Sequence, residues 1–425
     1  MTLKPVFLMM VASIGSLQLW AQKAPVKFGK IDEADLKMTV YEPDTSATAV
    51  VLCQYGHFSS TDFRFFLTRR VKILKKEGLD QAEYMFRAGD DGVVRGKTYN
   101  LENGVIVEEK LKSESIFKER ITEDYYRYRV AMPNVRVGSV IDIETSQDAL
   151  PEQFAFQDFI PVKHAELMLE ENQYIEYKKR SVGSKYVPYP NGIVYAIDSI
   201  PAFKVEPFMN SPENYLAKFE FDVLRVSAPG YYREYSTDWD AVNRRLRASD
   251  YFGGSLTNSG GFLSDISKEI KAKYTDPMAR LKAAYEAIKV VKWDGDESLY
   301  ASTTALSTAF KKGQGNSADI NMMLYKLLND LDISALPAVM STRENGELNL
   351  FSPSYNKLNY TLVCATVGDK KYVLDASEKY LPMGMLPERC LNARVRVVNN
   401  GEGYWVDVKP EKGDKKMVTY NLELT

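Results

Sequence analysis

The sequence is poor in the residues that most site chemistry requires. Its 425 residues include two histidines, His57 and His164, and none follows His164. A site built in the C-terminal half therefore has no imidazole of its own to move a proton or hold a metal. The three cysteines, Cys53, Cys364 and Cys390, form no disulfide framework, and an odd count leaves at least one thiol unpaired within the chain. Cys364 falls in an apolar, alternating stretch and reads as buried packing. A His/Cys metal site is not expected, the carboxylate-only D-x-D-x-D-G calcium pattern is missing, and no cofactor is expected. Charge of one sign is lacking too: 55 Lys+Arg against 57 Asp+Glu leave a net charge of −2, so no field advertises a nucleic-acid or anionic-membrane partner.

What is present is the composition of a folded protein, 45% hydrophobic and 26% charged, on a chain long enough for two or three domains. There is no repeat of fixed period and no low-complexity tract. The start reads Met1-Thr2-Leu3-Lys4, an apolar run from Val6 to Leu19, then Trp20-Ala21-Gln22. That pattern predicts an export signal over 1–21, cut after Ala21; the run is short for a membrane span, no second one follows, and no cysteine near the cut offers a lipid attachment.

From Thr48 to Val226 the pattern is of strands. Phe63, Phe65, Leu67, Val71 and Ile73 mark one face, with Arg64, Arg69 and Lys72 in the outward set, and Asn103-Gly104 supplies a hairpin turn with φ > 0 at both central positions. Short strands with Gly, Pro and Asn breaks predict an all-β sandwich over 22–235, in two sheets or subdomains. Beyond Tyr235 helices take over. Asp238 before Trp239 and Asp276 before Pro277 read as helix starts. Strands return at Leu336–Thr342, Leu358–Val367 and Lys371–Leu374, which predicts an α+β domain over 236–392.

The most informative stretch runs from Gly313 to Leu331. A glycine-punctuated loop delivers Asn316-Ser317-Ala318-Asp319 to an amphipathic helix with Ile320, Met323, Leu324, Leu327, Leu328 and Leu331 at helical spacing. A polar side chain at such a helix start meets first-turn N–H groups and the helix dipole, which stabilise an anion. The same residues also suit capping, with Asn316 and Asp319 approximating a capping box and Ser317 accepting first-turn N–H bonds.

With the segments after it, this stretch resembles the transglutaminase-like superfamily of papain-like thiol enzymes, in which a G-x-C-x-D helix start is followed by a His-bearing strand and a strand ending in Asp. Gly315, Asp319, the helix and Tyr372-Val373-Leu374-Asp375 match; Ser317 stands at the cysteine position and Tyr360 at the histidine position. The resemblance spans Trp239 to Arg394. The N-terminal half resembles the β-rich domain of unknown function that precedes such a domain in exported bacterial proteins, through Phe28-Gly29-Lys30, Met132-Pro133-Asn134-Val135 and Ile200-Pro201-Ala202-Phe203. In that group a further β-domain often begins where this chain reaches 393–425, so its strand-like stretches Val395–Val398, Tyr404–Val408 and Met417–Leu424 are expected to be the start of a truncated third domain. The resemblance implies a periplasmic destination.

Of the three catalytic positions only Asp375 is kept, and a serine hydroxyl with a pKa far above neutral gains little from the dipole alone. No catalytic residues are therefore expected at Ser317, Tyr360 and Asp375. The cleft lined by Asn316, Ser317, Asp319, Tyr360 and Asp375 is expected instead to bind, with a peptide, a glycan or an envelope protein as partner. Tyr360 is not expected to act as a phenolate base, since only Lys357 offers a cation near it in sequence. The alternatives are a serine-dependent hydrolase or acyltransferase on peptide or amide bonds using Ser317, and a subunit of an envelope complex.

Overall fold

The computed structural model describes residues 24–122, 125–183, 188–258, 261–409, 417–419 and 423. The expected export signal at 1–21 lies outside the described residues, as does half of the strand expected over 417–424.

The N-terminal half is built from three sheets. The largest has eight strands, in the order Tyr189–Asn191, Val194–Ile200, Val162–Leu169, Ala49–Ser59, Arg64–Ile73, Val140–Asp148, Val93–Glu102 and Val105–Lys110. Ala49–Ser59 runs parallel to Val162–Leu169 and antiparallel to Arg64–Ile73. A second sheet is centred on Lys218–Ala228 and a third on Tyr125–Ala131. One core joins all three, with Val51, Phe65, Val71 and Ile141 from the large sheet meeting Phe154, Phe219 and Phe221 from the second and Val130 from the third. The expected hairpin forms between Val93–Glu102 and Val105–Lys110, with φ of 50° at Asn103 and 80° at Gly104.

The other face of the large sheet is covered over its central strands. Leu36, Tyr41 and Ala47 pack against Val50, Leu52, Tyr99 and Val140 there. Lys72, expected to face outward, is fully buried, and its ammonium donates to the carbonyls of Leu36 at 2.7 Å and Gly138 at 2.6 Å. The correction has a simple cause: a two-residue alternation tells two faces apart, and cannot tell that residues before Thr48 cover the polar one. Burial pushes the Lys72 pKa down to about 8.

In the C-terminal half, Asp238 caps Trp239–Ala248 by accepting from Ala241 N at 2.6 Å, and Asp276 caps Pro277–Ile288 by accepting from Ala279 N at 2.7 Å. The helix Ser317–Asp330 packs between Pro277–Ile288 and an antiparallel five-stranded sheet. That sheet has the order Lys370–Leu374, Tyr360–Val367, Ser334–Met340, Arg394–Val397, Tyr404–Asp407. The helix is more central than its amphipathic pattern suggests. Asn321, Met322 and Lys326 are buried along with the apolar stripe, and the Lys326 ammonium is accommodated by the carbonyls of Leu256, at 2.9 Å, and Asn258.

The segment after Asn392 adds two strands to this sheet. Arg394–Val397 pairs with Ser334–Met340, through Ala338 opposite Val397, and Tyr404–Asp407 pairs with Arg394–Val397. Val395, Val397 and Val398 are buried, so these strands extend the preceding sheet. Their apolar positions find the free edge of Ser334–Met340 at hand, which removes an unpaired row of backbone groups.

Candidate functional site

Asn316 and Asp319 form a complete capping box. Asn316 Oδ1 accepts from Asp319 N at 2.8 Å, and Asp319 Oδ2 accepts from Asn316 N at 3.1 Å. Gly315 is required by this arrangement, because a Cβ there would lie 2.8 Å from Asp319 Oδ2. Asp319 also takes Ser302 N at 3.0 Å and Ser302 Oγ at 2.6 Å. Burial raises its pKa, against the pull of these hydrogen bonds toward the carboxylate.

Ser317 opens the helix and is fully buried. Its Oγ accepts from Ser298 N at 2.9 Å and faces Ser298 O at 3.4 Å, while its own N–H donates to Asp296 O at 3.2 Å. The segment carrying Asp296 and Ser298 bridges helix and sheet: Thr361 N donates to Ser298 O at 3.2 Å, Thr361 Oγ1 to Leu299 O at 2.8 Å, and Asn316 Nδ2 to Tyr300 O at 2.9 Å. Residues 296–302 thus bridge the start of the Ser317 helix and the Tyr360 strand.

Tyr360 and Asp375 meet as their neighbouring strands predict. The Tyr360 hydroxyl donates to Asp375 Oδ2 at 2.8 Å and lies 3.2 Å from Ser377 Oγ. Asp375 Oδ1 accepts from Asn321 Nδ2 and Ser377 N, each at 3.0 Å. Asn321 ties the helix to the sheet as well, donating to Thr361 O and accepting from Ala376 N, both at 2.9 Å.

The residue missed by sequence reasoning is Arg389. Its Nε donates to the Tyr360 hydroxyl at 3.1 Å, its Nη2 to Ser377 Oγ at 2.8 Å and its Nη1 to Glu378 at 2.6 Å, and it stands 3.6 Å from Asp375 Oδ2. The guanidinium also lies 4.3 Å from the centre of the Trp293 ring. A cation therefore does sit beside Tyr360, supplied from a 3₁₀ turn, Glu388–Cys390, by the chain's return toward the sheet. No short spacing could have pointed to it. Even with that cation, burial first and the Asp375 charge second push the Tyr360 pKa up, so the phenol keeps its proton at neutral pH. Cys390 Sγ comes within 3.6 Å of Asp375 Oδ2, and burial holds its pKa well above the ordinary thiol range.

Asn316, Ser317, Asp319, Tyr360 and Asp375 are thus gathered in one region, and none is more than 3% exposed. They form two polar clusters, the capping box with Ser302 and the Tyr360–Asp375–Arg389 network, bridged by Asn321 and by residues 296–302.

No family model matches the sequence, and a search of curated proteins finds no match. Solved structures do. A protein from Parabacteroides distasonis described as a "putative protease" superposes with a TM-score of 0.58 at 13% identity, over 85% of this chain and 72% of that one. The periplasmic domain of TgpA from Pseudomonas aeruginosa overlaps slightly, with a TM-score of 0.22 at 10% identity over 69% of this chain and 93% of that one. The overlap is as slight for a protein from Cytophaga hutchinsonii described as a "putative cysteine protease": TM-score 0.23, 10% identity, 80% of this chain and 96% of that one. The Parabacteroides likeness shows a common fold, which in this chain is multi-sheet and β-rich. Among the described residues no helix is long and apolar enough to cross a membrane.

Proposed function

We propose that this chain is an exported, catalytically silent transglutaminase-like module that binds or scaffolds. In this reading an all-β unit over 22–235 precedes an α+β unit over 236–392, the strands after 393 belong with the latter, and the partner is a peptide, a glycan or an envelope protein. The observation that carries the loss of catalysis is the Tyr360–Asp375–Arg389 network. An imidazole beside a carboxylate becomes positively charged when it takes a proton; here a permanent guanidinium already stands beside the carboxylate, and the group between them is a phenol that keeps its proton. Ser317 supports the same reading, since its hydroxyl serves the backbone of Ser298 and no imidazole exists in this half of the chain.

The test is intact-mass analysis after treatment with a fluorophosphonate, on the wild-type protein and on Ser317→Ala. No adduct is expected on either. An adduct on the wild type that Ser317→Ala abolishes would establish an activated serine and restore the hydrolase or acyltransferase reading.

The envelope-subunit reading has separate support. Val105–Lys110 ends the order of the eight-stranded sheet, and Val105, Ile106 and Val107 are 63%, 39% and 38% exposed. An apolar strand at a sheet edge is a template for pairing with another chain.

A further inference from the structure

A cavity of about 400 Å³ lies in the C-terminal half, where the helix Trp239–Ala248 ends beside the strand Ser334–Met340. It shares no lining residue with the two polar clusters around Ser317 and Tyr360. The chain builds it by turning sharply. Ser249, extended at φ −78° and ψ 132°, takes the chain out of the helix. Asp250–Gly254 follows as a π-type turn, in which Gly254 N donates to Ser249 O at 3.0 Å. Gly253 makes the turn possible, because a Cβ there would stand 1.9 Å from Arg247 O. Such single π-type turns are rare and gather at functional sites.

The floor is apolar. Phe252, Pro337 and Val398 are buried in it, and the half-buried Leu256 and Leu336 complete it. Lys326 fixes the Leu256 wall by donating to Leu256 O at 2.9 Å. The charged residues of the lining are Arg247 and Asp250, one of each sign. Among the described residues neither has an ion pair or a side-chain hydrogen bond, with the other or with any third group. The Tyr325 hydroxyl and the Asn400 side-chain amide, also in the lining, are likewise without a partner there. Asp250 sits just beyond the C-terminal end of the helix, whose last carbonyls carry partial negative charge, so positive charge is favoured on that side.

From this we infer that the cavity binds a free α-amino acid with an apolar side chain. Asp250 and the helix end take the ammonium, Arg247 takes the carboxylate, and Phe252, Leu256, Leu336 and Val398 take the side chain. A zwitterion satisfies both unpaired charges, whereas an ion of either sign would satisfy one and meet the other as a like charge. At about 400 Å³ the cavity is near the lower end of the range of roughly 300–1,000 Å³ for small-molecule sites, which suits a ligand of this size. The inference goes beyond the binding or scaffolding reading and does not depend on it.

The experiment is calorimetric titration of the full chain with L-leucine, N-acetyl-L-leucine, L-leucinamide and glycine. Leucine is expected to bind with saturation. The two blocked forms, each lacking one charge, and glycine, which offers the floor no side chain, should bind at least about tenfold more weakly. Asp250→Asn should abolish the advantage of leucine over N-acetylleucine, and Arg247→Gln its advantage over leucinamide. Both residues are exposed, so neither substitution disturbs packing, which melting curves verify. The site is refuted if leucine shows no saturable heat up to about 10 mM, if it binds no better than the blocked forms or glycine, or if either preference survives the substitution meant to remove it.

Discussion

Replacing Tyr360 by Phe removes one oxygen and leaves the ring in place. The lost hydroxyl donates to Asp375 Oδ2 at 2.8 Å and accepts from Arg389 Nε at 3.1 Å. A hydrogen bond to a charged group contributes about 1.5–3 kcal/mol, and a buried donor left without a partner costs about 1–3 kcal/mol. Arg389 keeps Ser377 and Glu378 and is 14% exposed, so the second cost is taken toward its lower bound. A loss of roughly 2–4 kcal/mol is expected. Denaturant unfolding followed by tryptophan fluorescence is a suitable assay, because Trp239, Trp293 and Trp405 all lie in the C-terminal half and only Trp20 does not. Combining Tyr360→Phe with Arg389→Gln should give a total smaller than the sum of the two single losses, since both remove the same contact. A single-variant loss under about 1 kcal/mol, or strict additivity in the pair, would refute the claim that the Tyr360 hydroxyl links Asp375 to Arg389.

Two further outcomes follow from the same reasoning. Asn316→Ala removes the capping-box acceptor and the bond to Tyr300 O, and should lower stability in the same assay by about 1–2 kcal/mol, while Asn316→Asp, which keeps the acceptor, should recover part of it. For Lys72, the folded pKa is pushed from 10.5 down to about 8, so between those values the unfolded chain holds more protons than the folded one and stability rises with pH through that window. Measured between pH 7.5 and 10, the wild type should gain stability relative to Lys72→Met, by up to roughly 3 kcal/mol; equal pH slopes would show that Lys72 is not a buried charge.

What was legible in the sequence was local. The caps at Asp238, Asp276 and Asn316, the Asn103-Gly104 turn and the order of helices and strands each depend on a few adjacent side chains. The Tyr360–Asp375 contact was legible as well, because neighbouring strands carry both residues. Arg389 was not, since its approach depends on where a distant turn comes to rest. Nor was the bridge from Ser317 to the sheet, because Ser298 makes it through main-chain bonds, which any residue could make. The burial of Lys72 and the return of Arg394–Val397 to the sheet depend on what lies across a face or an edge, about which a strand's own pattern is silent.

The parallel pairing of Ala49–Ser59 with Val162–Leu169 has a bearing on the order in which the chain can assemble. The antiparallel hairpin of Ala49–Ser59 with Arg64–Ile73 closes a short loop and is available early. Its other neighbour must wait until the whole intervening stretch, which supplies the third sheet, has been synthesised and brought across. Closing so long a loop costs entropy before any contact compensates it, which places this half among slow-folding topologies. Until Val162–Leu169 arrives, one edge of Ala49–Ser59 stays open, and the nascent sheet is at its most vulnerable to pairing with another chain.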